Sequence, residues 1–266
     1  MIVILILRST QGIAQLLVGP TAGINYNWMS FSKTADQKDM YSIAPVIGYH
    51  AGAHVSFRVQ KRFFLHTSLI YSTKGMVMKA KLNEYDTEDD VDKISMRLNY
   101  LEMPIVYTVY FKGSISGKSF KYSIGVGPNI SYWLGGKGVL ENQDVLEFGY
   151  GPMDYKVDFN TDPFPGEDGK MIVQRANRLQ LGLNVATSFM FEPAPQRELV
   201  VTIRYELGHS YQSRESKGLF RPTSYYEQPL NLRNQGIRIS LAYMIDLQIE
   251  KRKKGKSTND PKKRRY

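Results

Sequence analysis

The sequence predicts an all-β fold, an eight-stranded antiparallel up-and-down transmembrane β-barrel with long extracellular loops. Three observations carry that prediction. Eight stretches alternate apolar and other residues with a period of two. Their second faces are built of Gly, Ser, Asn and Ala rather than the Lys, Glu and Thr that a solvated sandwich face would carry. The links between the stretches alternate long and short without exception, as in barrels with short turns on one side of a membrane and long loops on the other.

Taken in order, Ile2 to Leu7 is a short apolar run, and Gly12-Ile13-Ala14 before Gln15 puts small residues where a signal peptidase cuts. This predicts a signal peptide over 1–14, a barrel over 15–247 and a basic tail over 248–266. The missing basic region ahead of Ile2 departs from the pattern and points to a truncated start; a first buried strand is the alternative reading of the run.

The expected strands are Val18 to Trp28, Ile47 to Phe57, Phe63 to Thr73, Asn99 to Phe111, Tyr122 to Leu134, Leu179 to Phe191, Leu199 to Leu207 and Ile237 to Ile245. In the fourth, Leu101, Met103, Ile105, Tyr107, Val109 and Phe111 face one way and Glu102, Pro104, Val106, Thr108 and Tyr110 the other. Most of the eight reach the roughly 9–11 residues that a tilted strand needs to cross a bilayer. No run of eighteen apolar residues exists, which excludes a helical span, and the negative mean hydropathy is compatible with strands whose two faces average out.

Met29 to Val46, Lys74 to Leu98, Gly135 to Arg178 and Gly208 to Gly236 are the expected long links; Arg58 to Arg62, Lys112 to Lys121 and Glu192 to Glu198 are the short ones. Starting in the periplasm, every short turn and both termini then fall on the periplasmic side. Trp28, Tyr49, Tyr71 and Tyr132 gather at the outer end of the apolar faces, and Phe57, Phe63, Tyr122, Phe191 and Tyr243 at the inner, as interfacial girdles do. Small inward residues suit the filled lumen of an eight-stranded barrel. Charges there must be paired, and Glu102, Arg204, Glu206 and Arg238 are the candidates, with Arg204 or Arg238 the expected partner of Glu102.

Tyr100-Leu101-Glu102-Met103-Pro104-Ile105 and Gly125-Val126-Gly127-Pro128-Asn129-Ile130 resemble the fourth and fifth strands of the PorT-like outer-membrane β-barrels of Bacteroidetes. The resemblance spans most of residues 16 to 247 and implies an outer-membrane address and a role in type IX secretion or gliding machinery. The basic tail and the very long third loop fall outside the family pattern.

The net charge of +10 belongs to the tail: residues 251 to 266 hold nine Lys/Arg against Asp260, leaving +2 for the rest. Nucleic acid is therefore not an expected partner. Lys251, Arg252, Lys253, Lys254, Lys262, Lys263, Arg264 and Arg265 are read as a docking segment for an acidic envelope protein or anionic headgroups; a solvated tail without a partner is the plain alternative. The absence of cysteine rules out disulfides and thiol catalysis.

Glu84, Asp86, Glu88, Asp89, Asp90 and Asp92 read as a solvated acidic loop, with a divalent cation held by their oxygens as the alternative. Asp158-Phe159-Asn160-Thr161-Asp162 opens like a calcium loop, but Pro163 and Gly169 stand where glycine and a bidentate glutamate are required, so an EF-hand is rejected. His54-Val55-Ser56 and His66-Thr67-Ser68 pair an imidazole with a hydroxyl on one strand face, as some lipid A deacylases do. The predicted register turns both pairs into the lumen, away from acyl chains. No metal, cofactor or catalysis is expected. The function read from these features is a structural or interaction component of an envelope complex, with outer-membrane lipid around it and a periplasmic or outer-membrane protein reached through tail and loops. A lipid-modifying enzyme of deacylase type and a soluble β-sandwich adhesin are the alternatives.

Overall fold

The computed structural model describes residues 16–31, 40–81, 92–115, 118–141, 152–160, 169–213, 217–220 and 227–247. Eight long strands close on themselves: β1 (Leu16–Phe31), β2 (Tyr41–Gln60), β3 (Phe63–Ala80), β4 (Lys93–Ile115), β5 (Lys118–Glu141), β8 (Leu179–Ala194), β9 (Arg197–Tyr211) and β12 (Leu232–Leu247). Each pairs antiparallel with the next, β5 pairs with β8, and β1 with β12. Closure removes the edges of the eight-stranded wall across the apolar belt.

Period-two alternation sets which way the side chains point. Along β4, Leu101, Met103, Tyr107 and Phe111 are exposed, whereas Tyr100, Glu102, Val106 and Thr108 are buried. The same parity holds in β12, where Ile237, Ile239 and Leu241 are exposed and Arg238, Ser240 and Ala242 are buried. The outer surface is therefore a continuous apolar belt, and the core sits inside the barrel. At one rim the belt carries paired rings: Phe111 stacks on Tyr122 at 5.2 Å and Phe63 on Tyr107 at 5.6 Å.

The inward glycines let the wall close tightly. A Cβ on Gly23 would lie 2.0 Å from the Ile239 carbonyl oxygen and 2.7 Å from His50 Cε1, and one on Gly127 would lie 1.9 Å from the Ile105 oxygen. The small second face of the predicted strands is thus a requirement of close backbone approach.

The turns are shorter than expected because the strands run further. Lys61 and Arg62 join β2 to β3, residues 116–117 join β4 to β5, and Pro195 and Gln196 join β8 to β9, with Gln196 at a φ of 63°. Leu16 pairs with Leu247, so both barrel termini lie at this short-turn end.

At the opposite, long-loop end, β3 and β4 continue well beyond Thr73 and before Asn99, and here the polarity inverts. Inward positions are apolar (Met76, Met78, Ile94, Met96, Leu98), while the outward neighbours include Lys79, Ser95, Arg97 and Asn99. This reversed alternation is that of a soluble sheet. It explains why the sequence reading placed Lys74 to Leu98 in a loop: the apolar stripe changes face where lipid contact would end.

Four short strands cover the same end. β6 (Met153–Asp158) adds to β5, β7 (Lys170–Ile172) lies parallel to β6, and β10 (Gly218–Phe220) and β11 (Glu227–Gln228) follow. They correct the expectation that Gly135 to Arg178 and Gly208 to Gly236 are plain loops. Segments of two to six residues are too short to show a period.

Candidate functional site

The interior is stacked in layers along the barrel axis. At its middle, Glu102 of β4 and Glu206 of β9 face Arg238 of β12 and Lys74 of β3. Arg238 Nη2 donates to both Glu102 oxygens at 2.9 and 3.0 Å and approaches Glu206 Oε2 at 3.4 Å. Lys74 Nζ lies 3.1 Å from Glu102 Oε1, pairs with Glu206 as well, and sits 5.2 Å from the Tyr100 ring centroid. Ser72 donates to Glu102, and Asn129 Nδ2 donates to Glu206 Oε1 at 3.1 Å. All four charged side chains are shut off from solvent, where such charges persist only if paired and hydrogen-bonded.

Beside this layer, Asn25 Nδ2 donates to the Tyr49 and Thr73 carbonyls, which leaves its Oδ1 to accept from His50 Nδ1 at 2.6 Å. His50 Nε2 then accepts from the Ser240 hydroxyl at 2.8 Å, so one tautomer is fixed.

Of the four charged residues singled out in the sequence, Glu102, Glu206 and Arg238 come together. Arg204 is buried on β9, yet no described carboxylate lies within ion-pairing distance of it, and its Nε and Nη1 have no hydrogen-bond partner among the described residues. Lys74 was missed for a simple reason. The expected strand stopped at Thr73, although one further step along its inward face (Phe64, His66, Ser68, Ile70, Ser72) reaches Lys74. The tail residues Lys251, Arg252, Lys253, Lys254, Lys262, Lys263, Arg264 and Arg265 lie outside the described residues, as do 1–15 and the acidic run from Glu84 to Asp90.

Toward the long-loop end the lumen is filled by apolar packing. Tyr100 accepts from Asn234 Nδ2 at 3.0 Å and stacks near Trp133, which meets Phe159 edge-on at 4.8 Å. Tyr155, Met171, Phe220 and Leu232 complete a buried cluster with the methionines of β3 and β4. Burial pushes the Tyr155 phenol up, so it stays a neutral donor, 3.4 Å from the Ser95 carbonyl.

Toward the short-turn end, Ser68, His54, His66 and Tyr110 form one hydrogen-bonded chain with steps of 2.7, 3.1 and 3.0 Å. The imidazole and hydroxyl that meet are thus His54 and Ser68, on neighbouring strands. The cavity beside them has a volume of about 20 Å³. The barrel then opens into a vestibule of about 650 Å³ lined by Arg58, Lys61, Arg62, Lys112 and Lys121, with Phe64 and Tyr110 inside and Glu198 at the wall. Lys121 pairs with Glu192 and lies 3.8 Å from Glu198. Asp158, first residue of the rejected calcium loop, is 3.3 Å from Lys170 Nζ, and no cluster of three metal-ligating side chains occurs among the described residues.

A closed wall with an apolar outside and a polar, filled inside is the inverse of a soluble barrel. The sequence profile of a family described as outer membrane protein beta-barrel domain matches residues 10–210, more than half of the chain. The chain belongs to that family. Its apolar belt is accordingly the lipid-facing surface of an outer-membrane protein, and its ring-bearing rim a membrane interface.

Among solved structures it is similar to the outer membrane protein OprG from Pseudomonas aeruginosa (9% identity, 90% of this chain and 95% of that one, TM-score 0.46). It is also similar to Neisserial surface protein A (11%, 89% and 100%, 0.36) and to Ail, the attachment invasion locus protein of Yersinia pestis (9%, 87% and 99%, 0.35). No curated protein sequence matches it.

Proposed function

We propose that this outer-membrane barrel is a non-conducting, non-catalytic structural or interaction component of an envelope complex, with its short turns and both barrel termini in the periplasm. The observation that carries the proposal is the sealed lumen. Among the described residues the Glu102–Arg238–Lys74–Glu206 layer and the apolar plug around Trp133 fill the lumen in series, which supports recognition at the two ends over transport through the middle. The enclosed Ser68–His54 pair supports a non-enzymatic reading.

The chain leaves β12 at Leu247, on the rim that carries the cationic vestibule. The basic tail that follows adds to the positive charge of that face, and this supports docking to an acidic periplasmic or outer-membrane protein rather than to nucleic acid. The PorT-like motifs of β4 and β5 narrow the proposed complex to type IX secretion or gliding machinery.

Deleting residues 251–266 and repeating an affinity purification from solubilised outer membranes is expected to remove the envelope partners that the full chain retains, while the barrel still shows heat-modifiable migration. An unchanged partner set from a folded, tail-less barrel would refute docking through the tail.

A further inference from the structure

We propose that the lumen holds one monatomic anion, chloride under cellular conditions, against the guanidinium of Arg204, and that the anion enters through the cationic vestibule. Among the described residues the charged layer contains three buried cations, Lys74, Arg204 and Arg238, and two carboxylates, Glu102 and Glu206. Lys74 and Arg238 engage both carboxylates. One positive charge is left over, and Arg204 is the cation of the layer without a carboxylate in ion-pairing range; its buried Nε and Nη1, like Nη1 of Arg238, have no hydrogen-bond partner among the described residues. A buried guanidinium with no carboxylate in ion-pairing range and two nitrogens without acceptors is costly to hold in a protein interior.

The space beside it says what could supply both. Arg204 lines the small cavity together with His54, His66, Ser68, Ser188 and Thr202, and Pro104, Val106, Thr108, Ala186 and Val200 close its remaining walls. Its volume of about 20 Å³ suits a single water- or halide-sized occupant. Water fits and would accept from Arg204, but it leaves the surplus charge in place. A halide satisfies the donors and neutralises the charge together, with the Ser188–Thr202 hydroxyl pair, bonded at 2.9 Å, lining the same cavity.

The two spaces are neighbours along the lumen: Thr108 lines the small cavity, and Tyr110, two residues along the inward face of β4, lines the vestibule and contacts His66 of the small cavity at 3.0 Å. Five cationic side chains around one carboxylate in the vestibule concentrate anions at its mouth.

The test uses the full chain refolded in detergent. The temperature at which heat-modifiable migration is lost is measured in sodium chloride and in sodium gluconate at equal ionic strength. The expected result is a midpoint higher by a few degrees in chloride, saturating with concentration, and no difference between the two salts for Arg204→Gln. Crystals of the wild-type chain grown in bromide should show an anomalous peak within hydrogen-bonding distance of Arg204, a reading that stands whether or not the variant folds. Equal midpoints in the two salts, or an anomalous map empty at this cavity, would overturn the proposal.

Discussion

Replacing Glu102 with leucine is expected to destabilise the barrel by about 3–5 kcal/mol, because it strips Arg238 and Lys74 of their shared carboxylate and leaves two buried cations on Glu206 alone. Glu102→Gln should lose less, since it keeps an acceptor for Arg238 and Ser72 while removing the charge. Adding Arg238→Met to Glu102→Leu should recover part of the loss, because the surplus charge leaves with the arginine. Urea unfolding from lipid vesicles, read by tryptophan fluorescence, checks all three. If Glu102→Leu unfolded at the wild-type midpoint, the carboxylate would not be the hub the geometry makes it. The recovery in the double variant separates charge imbalance from lost packing, since a purely steric role would make the two substitutions add.

The second large effect falls at the other end of the lumen. Trp133 is fully buried, its Nε1 donates to the Gly135 carbonyl at 3.1 Å, and its ring holds Phe159 against the barrel. Truncation to alanine is expected to cost about 3–5 kcal/mol of packing. That loss should be spent on the plug rather than on the wall, because Trp133 lies in the part of β5 past the lipid-facing belt. Limited trypsin digestion should cut at Lys170, Arg175 or Arg178 at least tenfold faster in Trp133→Ala, while the eight-stranded wall keeps its heat-modifiable migration. Unchanged cleavage would mean that β6 and β7 are held without this ring.

How much of this could be read from the chain depended on how far one physical rule extended. Where lipid lies outside and packed side chains inside, outward apolar residues recur every second position, and all eight wall strands were legible with the correct faces. Glu102 was recognisable as a lumen carboxylate for that reason alone. Past the membrane the same strands keep their period but exchange faces, so Met76, Met78, Ile94 and Met96 looked like the interior of a loop. Lys74 stands at that crossover, and a reading that ended the strand at Thr73 could not see it. Partner choice among lumen charges was beyond the sequence in principle. Glu102, Arg204 and Arg238 share an inward parity, and only the stagger of β4 against β9 and β12 decides that Arg238 reaches Glu102 and Arg204 does not. The His54–Ser68 contact has the same origin: the residues sit opposite each other in the β2–β3 register, while the sequence shows only the His54/Ser56 and His66/Ser68 spacings, each along one strand.

Among the described residues the interior has a charged layer and an apolar plug in series, both built of side chains shut off from solvent. Planar lipid bilayer recordings of the purified full chain therefore bear on the whole interpretation at once. With the protein inserted, as verified by heat-modifiable migration of the reconstituted sample, current should stay at the level of bare lipid across a range of voltages. Discrete, reproducible conductance steps from the wild-type barrel would contradict a sealed lumen and, with it, a function carried by the two ends rather than by passage through the middle.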